Sequence, residues 1–575
     1  MRSRVVLALP LALLTLALGA CGASDAGSAA SSYYGSSDTT SGGDAAGSQW
    51  TDPSSYPVAD TYTPTSSADT SSPADTSVPV DTAVAPDAGP DATAPDESQF
   101  EPPGTNPFVM AAHDPFSTFG ADVDTASYEI FRRYVGDLGV LPPPASVRLE
   151  ELVNYFDYGD APPTAEDEHP FSIAVEAAPS PFTPTTLLRI GITGEVLDQA
   201  TRAPANLVFL VDVSGSMSSD DKLPYVKTLL RETLDVLRPT DTVAIVTYAS
   251  AERVALPATP VSEKAAIRQV IDGLAAGGST AGQRGLAMAY DVVRGSYVAG
   301  GFNHVILCTD GDFNVGIVGT DAIVSYIEGE RATGVTLTVV GFGTGNLNDA
   351  MMEAVSNAGD GVYAYIGDAD SAVAYAHDRM LGSIFFIAKD LKIQLAFNPA
   401  RVHAYRLLGY ENNAIADEDF VDDTVDAGEI GSGLAVTALY ELVLGDDAVP
   451  AGEGAPEPED GAAYAGGDLP EFGADDLAEL RIRYKHPGAE TNDPAIALDR
   501  RVSAADVDAT FEDAGDALRF AGAVAAFAEI LKHSPYGSLA NLDVIGAVFA
   551  EQAEVDPERA ELAVLFAKAR ALLGE

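Results

Sequence analysis

Two hydrophobic periods alternate through the middle of the chain. Between residues 205 and 388, short, largely apolar runs at 207–211, 243–248, 305–309 and 335–341 are separated by amphipathic stretches. In 222–237, Leu223, Val226, Leu230, Leu234 and Leu237 fall on one helical face, and in 264–274 Ile267, Val270, Ile271 and Leu274 do the same. Continuously apolar strands alternating with helices predict an α/β fold, a doubly wound, mainly parallel sheet covered on both faces. Ligands of such sheets bind beyond the carboxyl ends of the strands.

The flanks read differently. Helical spacing at 125–136 and 146–157 is interrupted by Pro142-Pro143-Pro144, and strand-like runs follow at 171–176 and 187–192. After residue 388, four further strand patterns (391–397, 402–408, 436–444 and 477–484) are joined by acidic turns, among them a long loop at 445–476. Strands on both sides of the α/β region predict one β-rich assembly into which that region is inserted. Helical patterns at 515–533, 538–552 and 556–573 close the chain, the last with a good start at Asp556-Pro557-Glu558. The expected segments are 1–20, 21–105, 106–203, 204–388 (α/β), 389–506 (β-rich) and 507–575 (helical).

Residues 22 to about 105 contain few large apolar side chains and repeat Pro, Asp, Thr and Ala. Such a segment buries too little surface to offset its ordering entropy, so a disordered tether is expected. As a flexible coil it reaches on the order of 50 Å. The single tryptophan, Trp50, falls within it.

The chain has 575 residues and a formal charge of −54, from 86 acidic against 32 basic side chains. That balance argues against nucleic acid as a partner, since phosphate binding needs a basic footprint. Arg2 and Arg4 precede an apolar stretch that is too short to span a membrane, which reads as a signal segment. It ends in Leu18-Gly19-Ala20-Cys21, which resembles the bacterial lipobox. The resemblance implies lipidation at Cys21, a membrane anchor and a cell-envelope address, with Gly22 favouring the outer membrane. The only other cysteine, Cys308, lies in an apolar run and is expected in the core.

Candidate chemistry lies in three loops. VFLVDVSGSM offers Asp212, Ser214 and Ser216; AAGGSTAG offers Thr280; VILCTDGDFN offers Asp310. All are hydroxyl or carboxylate oxygens, which suit a hard divalent cation. Gly215 lets the first loop turn sharply. Asp212 and Asp310 fall at the predicted carboxyl ends of two strands.

The pattern Asp-x-Ser-x-Ser, then Thr, then Asp, resembles the metal-ion-dependent adhesion site of von Willebrand factor type A domains. The resemblance implies that Ser214, Ser216 and Thr280 hold Mg²⁺ (or Mn²⁺ or Ca²⁺), with Asp212 and Asp310 acting through water. One open coordination position is then filled by an Asp or Glu of a protein partner. The phrases DVDTASYEIFRRYV, VRLEELVNYFDY, GDFNVGI, GFGTGNLNDAMME, AKDLKI and SPYG also resemble a bacterial lipoprotein family that carries a type A domain. That resemblance covers most of the chain after the tether.

Other chemistry is weaker. Gly341-Phe342-Gly343-Thr344-Gly345-Asn346 lacks the last glycine of a dinucleotide loop and reads as a tight turn. Gly277-Gly278-Ser279-Thr280-Ala281 lacks the final glycine of a nucleophile elbow. No P-loop or HExxH occurs, and His304 is expected to be structural. The acidic run Asp417, Asp419, Asp422, Asp426, Glu429 lacks EF-hand spacing and reads as a solvated turn. A binding protein rather than an enzyme is therefore expected. The rival readings are a metal-dependent hydrolase, with Asp312 its nearest acid or base, and an architectural envelope protein with a structural metal.

Overall fold

The computed structural model describes residues 98–574, apart from 165, 280–282, 312–319, 452–453, 460 and 490–492. The signal segment, Cys21, Trp50 and nearly all of the Ser/Thr/Asp/Pro-rich stretch lie outside the described residues.

In chain order the strands are β1 (Val109–Met110), β2 (Phe116–Gly120), β3 (Phe171–Pro179), β4 (Thr186–Gly194), β5 (Ala205–Asp212), β6 (Thr242–Tyr248), β7 (Arg253–Pro260), β8 (Phe302–Thr309), β9 (Thr336–Phe342) and β10 (Tyr363–Ile366). They continue with β11 (Phe386–Phe397), β12 (Val402–Leu408), β13 (Ile430–Gly431), β14 (Ala435–Leu444), β15 (Asp476–Lys485) and β16 (Ile496–Ser503). The helices begin with α1 (Ala126–Arg132), α2 (Leu149–Asn154), α3 (Leu223–Val236), α4 (Lys264–Gly273), α5 (Gln283–Gly295) and α6 (Thr320–Arg331). They end with α7 (Asp349–Ala358), α8 (Ala369–Ala374), α9 (Met380–Ile384), α10 (Asp516–Leu531), α11 (Leu542–Gln552) and α12 (Pro557–Leu573).

The α/β region builds a sheet in the order β10-β9-β8-β5-β6-β7. Its strands are parallel except for the antiparallel edge β7. The unbroken apolar run of β5 has a direct cause. Leu207, Phe209 and Val211 enter one core with α3 and α4, while Val208 and Leu210 enter the opposite core with α5, α6 and α7. Strand β7 escapes the hydrophobic pattern because most of its side chains are half-buried or exposed. An edge strand tolerates that pattern, and it tolerates Pro257 and Pro260 too.

The insertion inferred from the flanking strands is present in the pairings. Strand β4 lies between β3 and β14, with Ile190 opposite Ala438, and β2 pairs with β11, with Phe119 opposite Ile393. Two sheets, β1-β12-β14-β4-β3 and β13-β11-β15-β16 with β2 beside β11, share one core. The α/β region thus leaves this sandwich after β4 and returns to it at β11. Helices α10, α11 and α12 pack on α1 and α2 through Phe131, Leu152, Phe520, Phe527, Phe549 and Phe566. Asp556 caps α12, accepting from the Arg559 N–H at 2.8 Å. Chain order begins before residue 106: Gln99 donates to the Leu347 carbonyl at 2.7 Å and accepts from the Asp349 N–H at 3.1 Å.

Candidate metal centre

Asp212 ends β5, and Asp310 directly follows β8, the parallel neighbour of β5. Both are fully buried. The chain turns at once after β5, so that Asp212 Oδ1 accepts the Ser214 N–H at 2.7 Å. The Ser214 and Ser216 hydroxyls then lie 2.9 Å apart. Adjacent oxygens of an octahedron with bonds of 2.0–2.1 Å lie about 2.9 Å apart, so this pair fits neighbouring positions around Mg²⁺. Ser214 is buried, Ser216 half-buried and Gly215 exposed, which leaves the hydroxyl pair open to solvent from one side.

The loop that carries the third expected hydroxyl is stapled to the first. The Gly215 N–H donates to the Gly278 carbonyl at 2.9 Å, and the Gly277 N–H to the Val213 carbonyl at 2.8 Å. Gly278 has φ +91°, and a Cβ there would meet Ser250 Oγ at 2.5 Å, so this approach requires glycine. Thr280 itself lies outside the described residues. The structure therefore brings Asp212, Ser214, Ser216 and Asp310 together and carries the chain to within two residues of the fifth position. Asp312 likewise lies outside the described residues.

The two aspartates differ in state. Burial pushes the Asp212 carboxyl up to about 6, aided by repulsion from Asp310 and opposed by the Ser214 N–H and hydroxyl and the Tyr248 hydroxyl. Burial acts on Asp310 too, but the Lys222 ammonium and hydrogen bonds from Lys222, Ser216 and Asn346 hold it below the usual carboxylate range. Two buried carboxylates among hydroxyls form a donor set for a hard cation.

Lys222 and Asn346 escaped the sequence reading. Lys222 immediately precedes α3, and its Nζ donates to Asp310 Oδ2 at 2.9 Å and to Asn346 Oδ1 at 2.8 Å. The glycine-rich turn after β9 makes room for it. Gly343 has φ +74°, and a Cβ there would meet Lys222 Cε at 2.4 Å. The segment read as a plain tight turn is thus the cradle of a buried cation. Its position at the carboxyl edge of the sheet was the available signal. His304 and Cys308 are core residues as expected. The His304 Nδ1 lies 2.6 Å from Thr336 Oγ1, and burial pushes its pKa down to about 3.

Family models match this chain in three stretches. Residues 206–376 match the von Willebrand factor type A domain, residues 94–189 match a model described as von Willebrand factor, and residues 382–572 match the C-terminal part of the uncharacterised protein YfbK. The YfbK protein of Escherichia coli K12, itself uncharacterised, is 39% identical over 440 residues, covering 75% of this chain and 73% of its own. An uncharacterised Synechocystis protein, sll0103, is 29% identical over 189 residues, covering 32% of this chain and 43% of its own. Among solved structures, a von Willebrand factor type A protein from Catenulispora acidiphila aligns with a TM-score of 0.37 and 16% identity, covering 72% of this chain and 89% of that one.

Proposed function

The chain belongs to the YfbK family and carries a von Willebrand factor type A domain, and on that premise we propose that it captures a protein partner through a divalent cation. The observation that carries this reading is the pair of hydroxyls, Ser214 and Ser216, 2.9 Å apart and flanked by the buried Asp212 and Asp310. Ser214, Ser216 and, from its place in the motif, Thr280 supply the neutral oxygens. Asp212 and Asp310 balance charge and orient the loop. A bound Mg²⁺ or similar ion would supply an open coordination position for an Asp or Glu of the partner. With neutral oxygens as direct ligands, that position keeps the positive character a carboxylate needs.

Binding is favoured over metal-assisted hydrolysis by what surrounds the hydroxyls. Hydrolysis needs a positioned acid or base beside the metal. Lys222, the basic group that reaches the edge of the site, donates its protons to Asp310 and Asn346. Titration calorimetry with Mg²⁺ or Mn²⁺ tests the site. Asp212→Ala, and Ser214→Ala with Ser216→Ala, should abolish binding while circular dichroism stays native. Unchanged affinity in these variants refutes the reading. Capture of an envelope protein that vanishes with chelator and returns with Mg²⁺ tests the partner role.

The same proposal places the protein on the cell envelope, most naturally at the outer membrane, through a lipid on Cys21. Mass spectrometry of the mature N-terminus decides this. A diacylglyceryl-modified cysteine is expected, and an unmodified terminus at or after Gly22 rules it out.

A further inference from the structure

A second group of carboxylates lies away from these loops, on the seam between the type A domain and the sandwich. The type A domain supplies Arg331, the last residue of α6, and Asp360, in the turn between α7 and β10. The sandwich supplies Asp390, at the bulge in β11, and Asp426 and Glu429, in the segment leading into β13. Oxygens of Asp360, Asp426 and Glu429 all lie within 4.8 Å of one another. An ion bound at 2.3–2.6 Å keeps its ligand oxygens no more than about 5 Å apart, so the three already stand at the spacing of a Ca²⁺ shell.

The charges around them do not close. Arg331 Nη1 lies 2.8 Å from Asp360 Oδ1 and also contacts Asp426. Lys485 takes Asp390 at 2.9 Å. Lys392 gives its ammonium to the backbone carbonyls of Asp419 and Asp422. Four carboxylates thus face two cationic side chains, an excess of two negative charges, and Glu429 is the one for which no ion pair is present among the described residues. Its side chain is buried, and its Oε1 is sealed from solvent without accepting a hydrogen bond. A carboxylate oxygen in that position is costly unless something cationic meets it. Glu429 and Asp426 also line a cavity of about 220 Å³, and the Asp426 side chain is 45% exposed, which provides a path from solvent. Burial, with repulsion from Asp360, Asp426 and Asp390, pushes the Glu429 carboxyl well above its usual range.

We propose that Asp360, Asp426 and Glu429 form a second divalent-cation site, of the Ca²⁺ class, which clamps the type A domain to the sandwich. Part of the acidic run that reads as a solvated turn is then a ligand segment. Its partner carboxylate comes from an upstream turn, which is why no EF-hand spacing is present.

The test uses the full chain carrying Asp212→Ala, which silences the first site. Calorimetric titration with Ca²⁺ should show one saturable site, and about a millimolar Ca²⁺ should raise Tm by a few degrees over EDTA. Adding Glu429→Gln should weaken Ca²⁺ by ~tenfold or more and abolish the shift in Tm. Glutamine keeps the shape and removes the unpaired charge, so in EDTA this variant should melt at or above its Asp212→Ala parent. That reversal of order between EDTA and Ca²⁺ separates a ligand from a residue that merely packs. The proposal is overturned if the Asp212→Ala protein shows no saturable Ca²⁺ site, or if Glu429→Gln leaves affinity and shift unchanged, as diffuse binding to an acidic surface would.

Discussion

The ammonium of Lys222 lies 2.9 Å from the Asp310 carboxylate, at the carboxyl edge of the sheet where a cation is expected to bind. The protein carries a resident positive charge beside its candidate metal centre. This charge stabilises the metal-free loops and opposes a second cation through Coulomb repulsion. Lys222→Met should therefore tighten Mn²⁺ by about tenfold, or about 1.4 kcal/mol. In EDTA the same variant should lose a few kcal/mol of stability, because the buried Asp310 carboxylate loses its countercharge. Calorimetry and urea unfolding read the two effects separately.

Gly343→Ala gives an independent approach to the same contact. The new methyl would occupy the space of the Lys222 stem, on a backbone with φ +74°. Strain at such a φ costs about 1 kcal/mol. Displacing Lys222 should reproduce the tighter Mn²⁺ binding of Lys222→Met. An affinity equal to wild type would show that the lysine stem has another route to Asp310.

Glu150 predicts a pH dependence. It is buried on α2, and neither carboxylate oxygen accepts a hydrogen bond of ordinary geometry. Burial, with repulsion from Glu411 and Asp122, pushes its carboxyl up to about 8 from an ordinary 4.5. The folded state therefore holds a proton that the unfolded chain has released between these two values. The contribution is full below 4.5 and is lost as pH rises through about 8. Glu150→Gln should be near neutral at acid pH and stabilising by about 2–4 kcal/mol above pH 8. Urea midpoints of both proteins across that range check the crossing.

Arg148 holds together parts that are distant in sequence. Its guanidinium, almost fully buried, lies 3.2 Å from Glu151, 2.7 Å from Asp349 on α7, and in contact with Glu353. Arg148→Met should cost about 3–5 kcal/mol, since it leaves these carboxylates without their cation. Asp349→Asn in the same chain should recover part of the loss. A double-mutant cycle by urea unfolding measures the coupling.

The α/β core and the two motif loops were legible because each is written locally. Apolar runs flanked by amphipathic stretches specify buried strands and covering helices, and VDVSGSM and CTDGD sit at strand ends within single short phrases. Lys222 was not legible in its role. On a helical wheel it reads as a solvated first-turn lysine, and only Gly343 and Asn346, more than a hundred residues later, show why it turns inward. The charged cluster around Glu429 likewise depends on Asp360 and Arg331 from another domain. Their apolar runs identified β4 and β14 as strands, but such runs carry no information about which strand each one pairs with.

Strand β4 pairs with β14, with Thr186 opposite Leu442, and the entire type A domain is made between them. During synthesis, β3 and β4 appear long before the strand that completes their sheet. Until then the β4 edge offers unpaired backbone groups, an aggregation hazard. The parallel sheet of the insert can fold without waiting, since each of its neighbours is supplied from within 205–366. Its folding brings the two ends of the insert together, with the Arg202 guanidinium 4.0 Å over the Phe385 ring, and so shortens the loop that the sandwich must close. The type A domain is therefore also a folding device for the chain that carries it. A mutation that slows its collapse lengthens the exposure of β4, even where the finished protein is no less stable.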